Sequence, residues 1–188
     1  MIQELVEKNR SYRRFDSHMA IKEGTLRELV NLGRLSASGR NLQPLKYLLS
    51  CDAEKNARIF TTLSWAGYLG GWAPAEGERP TAYIVILGDK EIATSFSVDQ
   101  GVAAQSILLG AVGMGLGGCM ISSIRRVDLT AALAIPDEYE ILLVIALGKP
   151  VEVVQIEPVS DDSSIKYWRD ADGVHHLPKR ALDDVIIK

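Results

Sequence analysis

Apolar residues recur along this chain with two different periods, and the alternation of those periods sets out the elements. Ile2, Leu5 and Val6 share one face of a short helix over residues 2–8. Leu26, Leu29, Val30 and Leu35 repeat at helical spacing from Thr25 to Leu35, and Lys22-Glu23-Gly24-Thr25 supplies the start. Tyr47 to Cys51 reads as a buried strand. Ala53 to Leu63 reads as a helix with Ala57, Ile59, Phe60 and Leu63 as candidate core positions. Ala82 to Leu87 is an uninterrupted apolar run closed by Gly88-Asp89, as expected of a central strand. The longest helix is expected from about Ser95 to Met114, rich in small residues: Gly101, Ala103, Ala104, Ser106, Gly110, Ala111 and Gly113. Glycine costs a helix about 1 kcal/mol relative to alanine. Several in one helix therefore imply close approach, either to another element of the chain or to a partner subunit. Leu116 to Ile121 is a short strand, Asp128 to Leu133 a short helix that ends before Pro136, and Tyr139 to Leu147 an apolar strand closed by Gly148-Lys149-Pro150.

Strands near 47, 83, 119 and 143, interleaved with helices, predict an α+β fold in three layers. Its central sheet is mixed or contains antiparallel pairs, and helices flank it. No linker, repeat or low-complexity stretch divides the chain, so residues 1–188 are expected to form a single domain. Residues 151–188 read as an extended C-terminal tail. It carries Asp161-Asp162, Tyr167, Trp168, an Asp172-Gly173 turn, His175-His176 and a final Val185-Ile186-Ile187. Its apolar groups must be covered by the chain's own body or by a second subunit.

Residues 64–80 stand apart. Trp65, Tyr68, Trp72, four glycines and prolines at 74 and 80 make either a packed surface loop or a lid over a site. A chain of 188 residues with 47% hydrophobic and 24% charged residues is ordinary for a globular protein. A net charge of −3 and the absence of a basic stripe argue against general nucleic-acid binding. The first residues lead straight into an amphipathic, partly acidic helix rather than a secretory signal, and no apolar run approaches the roughly 18 residues of a membrane span. Cys51 and Cys119 belong to no CxxC pattern and are expected reduced, buried and structural. That fits a cytoplasmic protein, with no cation evident to make either a thiolate. His18, His175 and His176 have no companion spacing that suggests a metal site.

Two polar clusters carry candidate chemistry. Arg10-Ser11-Tyr12-Arg13-Arg14-Phe15 offers forked, permanent cations for phosphate and for stacking on rings, although a solvated charge run would look the same. Ser38-Gly39-Arg40-Asn41-Leu42-Gln43-Pro44 offers hydroxyls and amides that can read the edge of a heterocycle, although its residues also form ordinary turns. No GxGxxG follows the first strand, so a Rossmann dinucleotide site is not expected.

In this order, the two clusters resemble the flavin-binding signature of the nitroreductase family. The resemblance extends to the long helix with Asp99-Gln100-Gly101, to Gly115-Leu116-Gly117-Gly118-Cys119, to Leu147-Gly148-Lys149-Pro150 and to the late basic pair Lys179-Arg180. It implies an FMN-dependent homodimer with flavin at the subunit interface and a C-terminal extension docked on the partner. The cofactor would be contacted by Arg10, Ser11, Tyr12, Arg13, Ser38, Asn41, Gln43, Gly117, Gly118, Lys179 and Arg180. Arg13 would stabilise the negative charge of the reduced ring, with no protein nucleophile. It further implies hydride passage from NADH or NADPH to a nitroaromatic or quinone-type acceptor in a ping-pong cycle. Trp65, Tyr68 and Trp72 could stack on that acceptor, unless they serve the core. Dehalogenation, flavin breakdown or non-catalytic flavin binding are the alternatives the same resemblance leaves open. The chain departs from the pattern at Asn9, where many relatives have a further arginine, at Leu45, where an aromatic is common, and through 64–80.

Overall fold

The computed structural model describes residues 1–96, 98–159 and 164–187. Asp161-Asp162 of the tail and Ser97, inside the span expected for the long helix, lie outside the described residues. Elements follow in the order α1 (Ile2–Lys8), α2 (Glu23–Leu35), β1 (Leu45–Ser50), α3 (Ala53–Thr61), β2 (Ala82–Asp89), α4 (Asp99–Gly113), β3 (Gly117–Ile121), α5 (Arg126–Leu133) and β4 (Tyr139–Gly148). The tail adds β5 (Val154–Pro158), β6 (Trp168–Arg169), β7 (His175–Lys179) and α6 (Leu182–Val185).

The central sheet has the order β1-β2-β4-β3, and every neighbouring pair is antiparallel. Strands β2 and β4 lie in the middle, which is why they are apolar without alternation: both sheet faces are covered. Ile84, Ile86, Ile145 and Leu147 pack under α2 and α4 with Leu26, Leu29, Ala104 and Ile107. Tyr83, Val85, Val144 and Ala146 face Ile59, Trp65 and Leu129 on the other side. This is the α+β, three-layer arrangement expected.

Some local expectations differ. Leu35 is 65% exposed because α2 ends there, just past the sheet. Ala57 is exposed while Asn56 is buried, held by Ser50 and the Thr81 carbonyl. Cys51 falls one residue beyond β1 and is exposed; Cys119 is buried. The long helix begins at Asp99 rather than near 95, where the Asp99 carboxylate ties down the loop before β1. The tail is also more ordered than an extended strip. β5, β7 and β6 form a three-stranded sheet, β5 parallel and β6 antiparallel to β7, because the Asp172-Gly173 turn lets Trp168 and Arg169 fold back on His176 and His175.

Of α4's small residues, Gly110 is in close contact within the chain: a Cβ there would meet Leu32 at 2.2 Å. Gly101 and Gly113 face open space. At Gly118 the demand is steric: a Cβ would lie 2.5 Å from the Ala146 carbonyl oxygen and 2.7 Å from Leu108. Gly118→Ala is expected to cost about 2–3 kcal/mol, lowering the thermal midpoint by roughly 4–12 °C. A calorimetric midpoint within about 1 °C of wild type would contradict that packing.

Candidate functional site

The first polar cluster leaves α1 and runs along the outer edge of β3. Ser11 bridges Gly118, and the Tyr12 N–H donates to the Gly118 carbonyl at 3.0 Å. Phe15 is fully buried and pairs with Pro150. The sequence reaches this path because Gly117 and Gly118 leave room: a Cβ on Gly117 would touch Pro150 and the Tyr12 ring at 2.6 Å each. Arg10 donates to the Val6 carbonyl, and the Tyr12 hydroxyl to Lys8 O at 3.0 Å. Burial pushes the Tyr12 phenol up from its ordinary value.

The backbone N–H groups of Arg13 and Arg14 both donate to one carboxylate oxygen of Glu152; the Arg14 bond is 3.1 Å. The other oxygen of Glu152 receives Arg169 at 2.7 Å. Arg14 is spent on structure: its guanidinium grips Glu78 through two bonds of 2.8 and 2.6 Å, anchoring the 64–80 loop. Arg13 forms no ion pair among the described residues, so its charge is available for other work. Its guanidinium donates to Ser11 O at 3.1 Å and lies 5.1 Å above the Tyr167 ring.

A cavity of about 140 Å³ opens beside Arg13, lined also by Ser64, Trp65, Cys119, Ser122, Ser123 and Tyr167. Trp65 is 7% exposed and packs on Phe60, and its indole N–H has no acceptor among the described residues. Cys119 has a cation nearby after all, yet burial pushes its thiol up and outweighs the pull of Arg13 and Ser11. It stays an inert thiol.

The second cluster wraps around the start of α4. The Ser38 hydroxyl donates to Asp99 at 2.6 Å, the Gly39 N–H donates to the same carboxylate at 3.0 Å, and the Gln43 N–H donates to Ser38 Oγ at 2.9 Å. Arg40, Asn41 and Gln43 hold φ near +53 to +55°, a left-handed conformation that non-glycine residues adopt at a cost and that clusters at binding loops. Asn41 and Gln43 are exposed. Ser38 and Gln43 line a separate cavity of about 130 Å³ with Ser36, Tyr47, Asp99 and Ala103. The two clusters thus line different cavities of one chain.

Other expected site residues are dispersed. Lys179 and Arg180 are exposed at the end of β7 and do not line the Arg13 cavity. Tyr68 is 53% exposed with its ring 4.9 Å from Tyr167, and Trp72 lies under the Arg169 guanidinium at 4.2 Å. Of the three loop aromatics, only Trp65 lines the cavity. Glu152, Arg169, Ser122 and Ser123 were not singled out in the sequence. The serine pair directly after a glycine-opened strand was the available signal, whereas Glu152 lies in a stretch with no motif.

The histidines face opposite sides of the small sheet, as neighbours on a strand must. His175 packs on Tyr167, is 2% exposed and is pushed down by burial; neither ring nitrogen has a partner among the described residues. His176 stacks on Trp168 at 3.9 Å and sits between Asp170 (3.0 Å) and Glu157, and those carboxylates hold its pKa above the ordinary 6.5. A raised folded pKa stabilises fully below about 6.5, and that support is lost as pH rises through the higher folded value. Amide exchange in β5–β7, corrected for intrinsic rates, is expected to accelerate across that window. His176→Gln should flatten the dependence; an unchanged profile in the variant would assign it elsewhere.

Comparison with known proteins adds the following. Residues 6–149 match the family model described as "Nitroreductase family". An NADPH-flavin oxidoreductase of Vibrio harveyi is 24% identical over 170 residues, covering 82% of this chain and 68% of that protein. Among solved structures, a nitroreductase family protein from Streptococcus pneumoniae TIGR4 superposes with a TM-score of 0.73 over 100% of both chains at 16% identity. An FMN-dependent nitroreductase from Clostridium difficile R20291 does so with a TM-score of 0.67 at 22% identity, over 87% of this chain and 94% of that one. Among the described residues no helix is long and apolar enough to cross a membrane.

Proposed function

The chain belongs to the nitroreductase family, and from that premise we propose that it is an FMN-dependent NAD(P)H oxidoreductase acting on an electron-poor acceptor of nitroaromatic or quinone type. The observation that carries the reading is the Arg13 cavity. Arg13, three serines and Trp65, whose buried indole N–H has no acceptor among the described residues, line one polar space. That donor set fits the acceptor-rich edge of a flavin's pyrimidine ring. When bound, the flavin supplies the hydride chemistry.

The chain's own residues bind and tune. Arg13 holds positive charge where the reduced ring is negative, and Tyr167 keeps its guanidinium oriented. Tyr12, Gly117 and Gly118 set the path of the Arg10–Arg13 backbone, while Arg10, Ser11, Lys179 and Arg180 form the cationic and polar periphery for the phosphate. Trp65 closes the cavity wall, and Tyr68, whose ring meets Tyr167 of that wall, and Trp72 are the loop aromatics proposed to stack on an acceptor. Reductant and acceptor take turns in the one space, which gives a ping-pong cycle.

The Arg13 cavity is small for a whole flavin; Ser38 and Gln43 line a different cavity of the same chain, and Asn41 is exposed on the loop between them. We therefore assign the second cluster's contribution to a second copy, so that FMN sits at the interface of a homodimer of single-domain chains. Exposed apolar side chains on neighbouring helices support this: Ile2 and Val6 on α1, Leu32 and Leu35 on α2, and Val102 on α4, beside the open Gly101 and Gly113. Leu182, Val185, Ile186 and Ile187, exposed at the chain's end, supply the extension that docks on the partner.

The test is the visible spectrum of the purified protein. Oxidised-flavin bands that bleach on anaerobic addition of NADH or NADPH, and return with a quinone, are expected. A colourless protein that takes up no FMN would overturn the reading.

A further inference from the structure

The loop at 64–80 is fixed at both ends and loose between them. At its start Trp65 is buried, and the Ser64 N–H donates to the Ser123 carbonyl at 3.0 Å. At its end Glu78 receives the Arg14 guanidinium, and its carbonyl accepts from the Phe15 N–H at 3.0 Å. The stretch from Gly67 to Gly71 has little of this. A Cβ on Gly67, Gly70 or Gly71 would meet nothing within 4 Å. Gly70 and Gly71 hold φ of +53° and +74°, and Ala66 before them takes +43°, a left-handed value that costs alanine. Small residues in such positions absorb the rotation when a loop moves.

Among the described residues one hydrogen bond ties Gly67–Gly71 to the rest of the chain: the Tyr68 N–H donates to the Tyr167 hydroxyl at 3.3 Å. The two rings also meet, 4.9 Å apart. The tail side of this clasp is firm. Arg169 is paired with Glu152, β6 is joined to β7, and His175 backs the Tyr167 ring at 5.1 Å. The clasp sits at a cavity: Ala66, Gly67 and Tyr167 all line the space beside Arg13, whose guanidinium lies over the Tyr167 ring. That space is about 140 Å³, under the roughly 300 Å³ at which ordinary ligand pockets begin. One long hydrogen bond and one ring pair are contacts that open locally while the core stays shut.

We propose that Tyr167 is the specificity-determining residue of the Arg13 cavity. Its hydroxyl and ring hold 67–71 against that space, so that a small molecule passes the closed clasp and a ring-bearing one waits for it to open. As a filter on electron acceptors this rests on the oxidoreductase reading; as a filter on the cavity it stands without it. Cys119 lines the same cavity and is 3% exposed, so its thiol reports passage.

The test is alkylation of Cys119 in the flavin-free full chain, with the exposed Cys51 replaced by serine. Iodoacetamide and N-phenylmaleimide are compared at mildly alkaline pH, each rate taken relative to free cysteine, in the Cys51→Ser chain alone and with Tyr167→Phe or Tyr167→Ala added. With Tyr167 present, the phenyl reagent is expected to be held back more than iodoacetamide. Tyr167→Phe should speed the phenyl reagent about 3–10-fold, the worth of one hydrogen bond. Tyr167→Ala should speed it further, since the ring pair goes as well. Iodoacetamide should change less in both, and amide exchange in β2 and β4 should stay as it was. Tyr167→Phe keeps the ring and decides the matter if Tyr167→Ala folds poorly. No change in Tyr167→Phe, equal acceleration of the two reagents, or exchange in β2 and β4 rising in step with alkylation would each overturn the proposal. FMN uptake by the same samples bears on the oxidoreductase reading alone: a chain that takes up no FMN yet filters the two reagents in this way keeps the clasp and loses that reading.

Discussion

Glu152→Ala is expected to cost about 3–5 kcal/mol and to lower the thermal midpoint by roughly 6–20 °C. The Glu152 side chain is 1% exposed and serves three donors: the N–H groups of Arg13 and Arg14, and the guanidinium of Arg169, itself 15% exposed. Alanine leaves two backbone donors unsatisfied and one buried cation unpaired, which is the costly way to break a buried pair. Glu152→Gln keeps an acceptor for the backbone but not the charge for Arg169, so its loss should be smaller. Thermal melts of the two variants beside wild type decide the matter. If alanine and glutamine cost the same, the carboxylate is not the joint described.

Arg13→Ala should weaken FMN binding by about 10–100-fold, the worth of a hydrogen bond to a charged group, and lower the reduction potential of whatever flavin remains. Arg13→Lys should restore part of the potential, since it returns the charge but not the fork. The two readouts separate roles. A cation that only shapes the cavity would change affinity and leave the potential alone, whereas unchanged affinity and potential in the alanine variant would remove Arg13 from the site. Fold damage is not the expected cause of either change, because among the described residues the Arg13 side chain makes one hydrogen bond, to Ser11 O.

The sheet was legible because β2 and β4 are covered on both faces, and an apolar run such as Ala82–Leu87 or Tyr139–Leu147 has few other meanings in a short segment. The helices were legible by period, though their ends were not: Asp99 starts α4 through loop contacts that no local pattern announces. In the site, the two polar clusters could be read as clusters, but not which arginine does what. Arg14 and Arg13 are adjacent and alike in sequence, and only the position of Glu78, 64 residues away, turns one into an anchor. Trp65, Tyr68 and Trp72 likewise looked equivalent, and burial alone separated them. The tail misled because its strands are short, β6 meeting β7 only through the turn at Gly173 and β5 joining β7 in parallel from across a long connection. Short segments of that kind carry too little periodicity to register.

The joint between the cluster at 10–15 and Glu152 has a consequence in time. The two partners are 139 residues apart, and Arg169 is further still. A chain emerging in order would pair β1 with β2 and bury α2 against α4 with Arg14 tethered only through Glu78 and Arg13 still loose. Their final path needs β3, then Glu152, then the returning strand at 168–169. Closing loops this long is slow and comes late. The Arg13 cavity is therefore expected to be the last part of the domain to acquire its shape and, by the same contacts, the first to lose it when the end of the chain is cut or loosened.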